Sequence, residues 1–156
     1  EKFGGHAMAA GLSIVPSNFD KFKEVFSEAI TEHLKGNKPL IELLTDGKLE
    51  AHEITLKNAE LLRQASPWGQ GFEEPVFYGD FEILEQRIVG EKHLKCTLKL
   101  IDSSAIFEGI AFFQEKIQAK QVRVAYKLNV NSFRGNESLQ LMIESIKENA
   151  VSKTLQ

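Results

Sequence analysis

Cysteine is scarce in this sequence, since Cys96 is the only one among 156 residues. A single thiol excludes an internal disulfide framework, and it excludes a zinc site built from several cysteines. Cys96 lies in an alternating run of apolar and polar residues, LKCTL at 94–98. In such a run a small buried hydrophobic side chain is commoner than a nucleophile, so we expect a structural role for Cys96.

The sequence also lacks long apolar runs, so it predicts neither a membrane-spanning helix nor a secretory signal. The net charge is −3, from 19 Lys and Arg against 22 Asp and Glu. The chain as a whole is therefore no polycation, and any surface for nucleic acid must be local. With 42% apolar and 26% charged residues, it has the composition of a globular chain. These features predict a cytoplasmic protein without membrane contacts.

Recognisable catalytic motifs are missing as well. Metal-dependent hydrolases cluster Asp and His around divalent ions, whereas the aspartates here are scattered singly along the sequence. The neighbouring His52 and Glu53 fall in a predicted strand, where adjacent side chains point to opposite faces. The sequence has no serine nucleophile elbow and no Walker-type phosphate loop. We therefore predict neither a catalytic residue nor a metal ligand in this chain, and we expect it to be inactive by itself.

The sequence divides into two segments that differ in their predicted secondary structure. The first contains the glycine-rich stretch GGHAMAAG at 4–11, a predicted strand over 7–15 and a helix within 16–34 that Ser17 or Asn18 caps. The second begins near residue 45 with a predicted strand over 46–54 and a helix capped by Thr55. A Pro- and Gly-rich connector then leads to five or six short alternating strands. The predicted fold is α+β, mainly β with flanking helices, and closes into a small barrel.

Basic and aromatic residues follow two of these predicted strands, QRIVGEKHLKCTLKL at 86–100 and YKLNVNSFRG at 126–135. Cations along a groove with an aromatic side chain for stacking are typical of proteins that bind single-stranded nucleic acid. Lysine on the solvent face of a sheet is an ordinary feature too, and the residues alone leave both interpretations open. The candidate binding residues are Arg87, His93, Lys95, Lys127, Phe133 and Arg134.

Motifs in both segments resemble one family. FGGHAMAAG at 3–11 is similar to the Gly-Gly-His-x-x-Ala-Ala-Gly motif in the DHH-associated domain of the DHH-family phosphoesterases. ASPWGQGFEEPVF at 65–77 resembles the segment that enters the OB-fold domain of the RecJ exonucleases within that family. RIVGEKHLKCTL, GIAFF and VAYKLNVNSFRGNESLQLMI follow in the same order. The resemblance implies the end of a DHH-associated domain at 1–44, an OB-fold domain at 45–149 and a tail at 150–156.

RecJ exonucleases degrade single-stranded DNA from the 5′ end in repair and recombination, and their Mn²⁺ or Mg²⁺ is held by another domain. The resemblance therefore implies that this chain is the substrate-binding part of a longer bacterial enzyme, itself monomeric. It implies that Gly4, Gly5 and His6 form a turn that contacts the phosphates of the DNA. It also favours the DNA-groove interpretation of the candidate residues on the barrel. Exposed phenylalanines of the first helix are expected to let the piece self-associate.

Two other functions stay open at this point. The barrel can be a protein-interaction module whose basic strand docks an acidic peptide, such as the tail of single-strand binding protein. The chain can also belong to a DHH-family enzyme that acts on nanoRNA or cyclic dinucleotides, although the appended barrel argues against this. Binding that depends on stacking against Phe133 would favour DNA over a peptide.

Overall fold

The computed structural model describes residues 3–6, 9–35, 42–65, 67–90 and 92–148. The chain divides into two compact units, Glu1–Leu43 and Leu44–Gln156. None of the helices in the described ranges is both long and apolar enough to cross a membrane. The tail expected at 150–156 lies outside the described residues.

The first unit begins with a short antiparallel pair, β1 (Phe3–His6) and β2 (Ala9–Leu12). Gly4 pairs with Gly11 and Gly5 with Ala10. A Cβ on Gly5 would lie only 3.0 Å from the Cβ of Ala10, so the second glycine allows a close approach of the two strands. The strand predicted over 7–15 is shorter than expected, because β2 ends at Leu12. The first two predicted residues lie outside the described ranges.

A 3-10 turn at Pro16–Asn18 leads into helix α1 (Phe19–Leu34). The predicted side-chain cap is wrong, because neither Ser17 nor Asn18 makes a capping hydrogen bond in the structure. The 3-10 turn holds Asn18 at φ −98° and ψ 0°, whereas a capping side chain needs an extended backbone at that position. The helix ends at Lys35, whose φ is 48° and whose N–H donates to the carbonyl of Glu32.

The phenylalanines of α1 lie on its surface. The rings of Phe22 and Phe26 stack with centroids 5.4 Å apart, yet no residue of α1 is buried. Phe19, Val25 and Phe26 are each about half exposed. The expected self-association through this face stays a prediction.

The second unit is a closed five-stranded barrel, as the sequence predicts. Its strands are β3 (Phe77–Val89), β4 (His93–Leu100), β5 (Ile106–Ala111), β6 (Gln121–Phe133) and β7 (Asn136–Glu148). They follow one another around the barrel in the order β3-β4-β5-β7-β6, and β6 returns to pair with β3. All pairs are antiparallel except β5 with β7. The α+β fold class with a small barrel is confirmed.

Strict alternation along the strands fills the barrel interior. Along β4, Leu94, Cys96 and Leu98 are at most 2% exposed, and the residues between them face outward. Gly109 on β5 lies opposite Cys96, and a Cβ there would come within 2.9 Å of the Ile143 side chain and 3.2 Å of the Cys96 sulfur. A side chain at position 109 would therefore force the end of the Ile143 side chain, and the side chains of Cys96 and Leu98, to move.

Helix α2 (Leu56–Ala65) contacts β6 and β7 and contributes Ala59 to the core. Its cap is the predicted one, because the N–H of Asn58 donates to the hydroxyl of Thr55 at 3.2 Å. The side chain of Asn58 also donates to the carbonyl of Glu53 at 2.7 Å. These bonds fix the entry into α2.

The strand predicted over 46–54 is wrong. Only Lys48 pairs there, in a single parallel bridge with Tyr78, and residues 51–55 form turns. The carboxylate of Glu53 accepts a hydrogen bond from the N–H of Glu50 at 2.7 Å, so local side-chain bonding replaces a strand ladder. His52 and Glu53 consequently lie in a turn and not on opposite faces of a strand.

The connector before the barrel folds back on α2. Gly69 and Phe72 exchange two backbone hydrogen bonds, and the Trp68 ring stacks on Phe72 with centroids 5.0 Å apart. The indole N–H of Trp68 donates to the carbonyl of Leu62 at 2.9 Å. This indole therefore ties the Pro- and Gly-rich segment to the helix.

We predict that Cys96 makes folding stability depend on pH. Burial raises the pKa of its thiol from 9.0 to about 12, so the unfolded chain loses this proton at a lower pH than the folded one. Stability from the buried thiol is complete below about pH 9 and is lost as the pH rises toward 12, by up to about 1.4 kcal/mol per pH unit. Urea unfolding of the wild type and Cys96→Ala should show a gap that shrinks between pH 8 and pH 10. A constant gap would contradict a buried thiol.

The Tyr126 hydroxyl generates a second prediction. Tyr126 is fully buried with Phe81 edge-on at 5.7 Å between centroids, and its hydroxyl has no hydrogen-bond partner among the described residues. An unpartnered buried hydroxyl costs about 1–3 kcal/mol. Tyr126→Phe should therefore keep or raise the free energy of unfolding in urea. Phe81→Leu, which replaces the neighbouring ring with a smaller aliphatic side chain, is the control and should lower the free energy of unfolding. Destabilisation by Tyr126→Phe would show that the hydroxyl has a partner.

Candidate nucleic-acid interface

Strands β3 and β4 carry three of the six candidate residues of the barrel, Arg87, His93 and Lys95. The strand registers place Arg87 opposite Lys95, and Lys95 opposite Ile110. The next outward row runs from Glu85 through Thr97 to Glu108. A groove of about 360 Å³ opens between these rows. Arg87 and Lys95, eight positions apart in the sequence, thus become direct neighbours.

Acidic side chains neutralise part of this face. The ammonium of Lys95 lies 3.2 Å from one carboxylate oxygen of Glu108, and the Thr97 hydroxyl donates to the other at 2.9 Å. Farther along the barrel, the hydrogen bond and charge of Lys120 lower the pKa of Glu82, and Lys99 contributes a smaller charge effect. The lysines of β4 therefore do not form a continuous positive row.

Lys127 is paired as well. Its ammonium lies 3.4 Å from Glu144 and 3.7 Å from Glu74, and its side chain is only one-quarter exposed. Arg87, by contrast, makes no ion pair with any residue of the described ranges. Of the cations that line the groove, Arg87 is therefore the better placed to meet an anion.

The tip of the β6–β7 hairpin joins Phe133 and Arg134. Arg134 and Gly135 have φ values of 51° and 81°, which suit a two-residue hairpin turn. The Arg134 guanidinium lies 5.1 Å from the centroid of the Phe133 ring, and that ring is 64% exposed. A flat aromatic face and a cation thus lie side by side on the surface.

A second aromatic cluster surrounds the candidate residue His93, and its two phenylalanines were not predicted from the sequence. Phe112 and Phe113 follow β5, and the ring of His93 meets both edge-on, with centroid distances of 5.0 and 5.1 Å. The N–H of Phe113 donates to Nδ1 of His93 at 3.3 Å. The available signal was the pair of phenylalanines at the end of an alternating run, where the period of two breaks and polar residues follow.

The glycine-rich candidates lie in the other unit. The turn expected at these residues is wrong, because Gly4 and Gly5 belong to strand β1 and His6 ends it. A Cβ on Gly4 would meet no atom within 4 Å, so the backbone there is open to a ligand. Among the described residues, no group of three or more His, Cys, Asp or Glu side chains could hold a metal ion. These residues therefore do not fit a Mn²⁺ or Mg²⁺ site.

Comparison with known proteins identifies the family. A family model described as the RecJ OB domain matches residues 45–145. The chain belongs to the RecJ OB-domain family. The single-stranded-DNA-specific exonucleases RecJ of Dickeya dadantii and Escherichia coli are 45% identical to it over an alignment of 150 positions that covers 93% of this chain. The predicted resemblance to RecJ is confirmed.

The RecJ relatives are much longer proteins. The chain covers 26% of the Escherichia coli protein and 27% of the Haemophilus influenzae RecJ, to which it is 43% identical. A crystal structure of Thermus thermophilus RecJ in complex with Mn²⁺ matches 96% of this chain with a TM-score of 0.58 and 24% identity. This structural likeness supports the fold, and the chain spans about a quarter of its RecJ relatives.

Proposed function

We propose that this chain is the DNA-binding OB part of a bacterial single-stranded-DNA-specific exonuclease that digests from 5′ to 3′ in repair and recombination. The supporting observation is a closed barrel of the RecJ OB-domain family whose surface exposes Arg87, Arg134 and the ring of Phe133. OB folds bind oligonucleotides across their second and third strands and the adjoining loops, which here are β4, β5 and the loops beside them. The parent enzyme is cytoplasmic and monomeric, and its Mn²⁺- or Mg²⁺-dependent site lies outside this chain.

The candidate residues divide by what they offer a DNA strand. Arg87 and Arg134 supply charge for phosphates, because neither is ion-paired to a described residue. Phe133 supplies a stacking surface. Lys95 and Lys127 contribute less, since each must first leave a carboxylate partner.

The glycine-rich hairpin of the first unit has a matching role in this proposal. Gly4 and Gly11 face each other without side chains, and a Cβ on either would meet nothing within 4 Å. Glycine lets a backbone come close to a ligand, and backbone N–H groups are suitable donors to a phosphate. Gly4, Gly5 and His6 are therefore proposed to contact the strand on its way to the metal site.

Fluorescence anisotropy of the full chain with labelled single-stranded and duplex DNA tests the proposal. The single strand should bind preferentially, and its affinity should fall as salt rises. Replacing both Arg87 and Arg134 by alanine should reduce the magnitude of the slope of log affinity against log salt by about 1.4. This is about 0.7 for each lost phosphate contact. Lys57→Ala, which removes an exposed cation from α2, is the control and should leave the slope unchanged. Absence of binding at low salt would refute the proposal.

Neutralising Glu108 provides a test in the opposite direction. Glu108→Gln removes the charge that pairs with Lys95 while keeping an oxygen for the Thr97 hydroxyl. The freed lysine should strengthen single-strand binding at low salt by a few-fold and steepen the salt dependence. The same substitution combined with Lys95→Ala should abolish the gain. A gain that persists without Lys95 would show that Glu108 acts by general repulsion.

A second candidate function is docking of an acidic peptide, such as the tail of single-strand binding protein. The cavity beside Phe113 favours it, because Ile88 gives an apolar wall and Lys92 and Lys116 give positive charge. Phe133→Ala should weaken DNA binding and leave the affinity for an acidic peptide unchanged. Anisotropy with each labelled ligand separates the two functions.

A further inference from the structure

We propose that Phe113, Phe112 and His93 form a stacking subsite for one unpaired nucleobase, with Lys92 and Lys116 holding the phosphates beside it. The inference rests on the proposed function, which supplies the single strand. It adds a site at the end of β5 that is separate from the Phe133 hairpin.

The first support is the way in which Phe113 is presented. Phe113 is 78% exposed, and Phe112 is 50% exposed. The backbone of Phe113 has a φ of 54°, a left-handed conformation that is uncommon for a bulky residue. Strained residues of this kind cluster at ligand sites, where the surrounding structure maintains them. The fold therefore keeps Phe113 in a strained backbone conformation, although its ring contributes little to the core.

His93 provides the second support, because it fixes this geometry. Its Nδ1 accepts the N–H of Phe113 at 3.3 Å, while its ring stands at 75° and 78° to the two phenylalanine rings. An accepting Nδ1 carries no proton, so Nε2 is the protonated nitrogen of the neutral ring. His93 is thus a positioning residue that orders the platform before any ligand arrives.

The adjoining cavity is the third support. It has about 300 Å³ and is lined by Ile88, Lys92, Phe113, Gln114, Glu115 and Lys116. Neither of its lysines makes an ion pair with a described residue, in contrast to Lys95 and Lys127. Apolar side chains and two available cations in one lining suit a flat base and the phosphates next to it.

This arrangement selects single strands. A base inside a duplex has both faces covered by its neighbours, whereas an unpaired base offers a face to an aromatic ring. Phosphate contacts alone carry no such preference. The platform therefore contributes to discrimination against duplex DNA, and Lys92 and Lys116 contribute mainly to affinity.

Phe113→Asn is the decisive variant. Asparagine tolerates the left-handed backbone, and an exposed ring contributes little to the core, so the barrel should fold with unchanged stability. Affinity for a labelled oligo(dT) should fall about 10-fold, the loss expected for one stacked base. Leu61→Ala, which removes an exposed apolar side chain of 56% exposure on α2, should bind as the wild type does.

A spectroscopic readout tests the role of His93. In Phe113→Trp, oligo(dT) should quench tryptophan fluorescence beyond any change that Trp68 shows in the wild type. Adding His93→Ala should remove this extra quenching while leaving the salt dependence of binding unaltered, because the phosphate contacts remain. Equal quenching with and without His93 would refute its positioning role.

The outcomes separate this inference from the proposed function. Wild-type affinity for oligo(dT) in Phe113→Asn would overturn the subsite and leave the DNA-binding function standing. Failure of the wild type to bind any single strand would overturn both. If Phe113→Asn loses an acidic peptide and keeps oligo(dT), the cavity is a peptide site and the nucleobase proposal is wrong.

Discussion

Closure of the barrel between β3 and β6 is the constraint on which the second unit depends. Once β3 pairs with both β4 and β6, every second residue must point inward, and the remaining side chains have one outer face to share. The bidentate contact of Arg123 with Asp80, at 2.8 and 3.1 Å, lies on this closing pair. On the outer face, the registers of β3 with β4 and of β4 with β5 make Arg87, Lys95 and Glu108 neighbours.

Charge on that outer face is distributed unevenly. Lys95 and Lys127 are bound to carboxylates, whereas Arg87 and the lysines beside Phe113 have no such partner in the described part of the chain. In a chain of net charge −3, Arg87, Arg134 and the lysines beside Phe113 are thus exposed cations that no described carboxylate pairs with. Attraction to a polyanion is consequently local, and aromatic rings lie beside two of these positions, at Phe113 and Phe133.

Local patterns in the sequence predicted the features that depend on neighbouring residues. The alternation around Cys96 gave the orientation of β4, and the hydroxyl of Thr55 gave the start of α2. The false strand at 46–54 arose because the Glu53 carboxylate bonds its own turn, which alternation does not reveal. Lys95 and Glu108, 13 positions apart, meet through the β4–β5 register. The geometry of Phe113 depends on His93, 20 positions away, and on a left-handed backbone. A phenylalanine in the sequence does not predict that backbone conformation.

The parallel pairing of β5 with β7 fixes the distance between the two exposed aromatic groups. Gly109 is aligned with Leu141, so Phe113 lies beyond one end of this pair and the β6–β7 tip beyond the other. They are separated by about nine strand positions, or about 30 Å along the strand direction. Under the proposed function, an oligonucleotide shorter than this distance contacts only one of the two aromatic sites at a time.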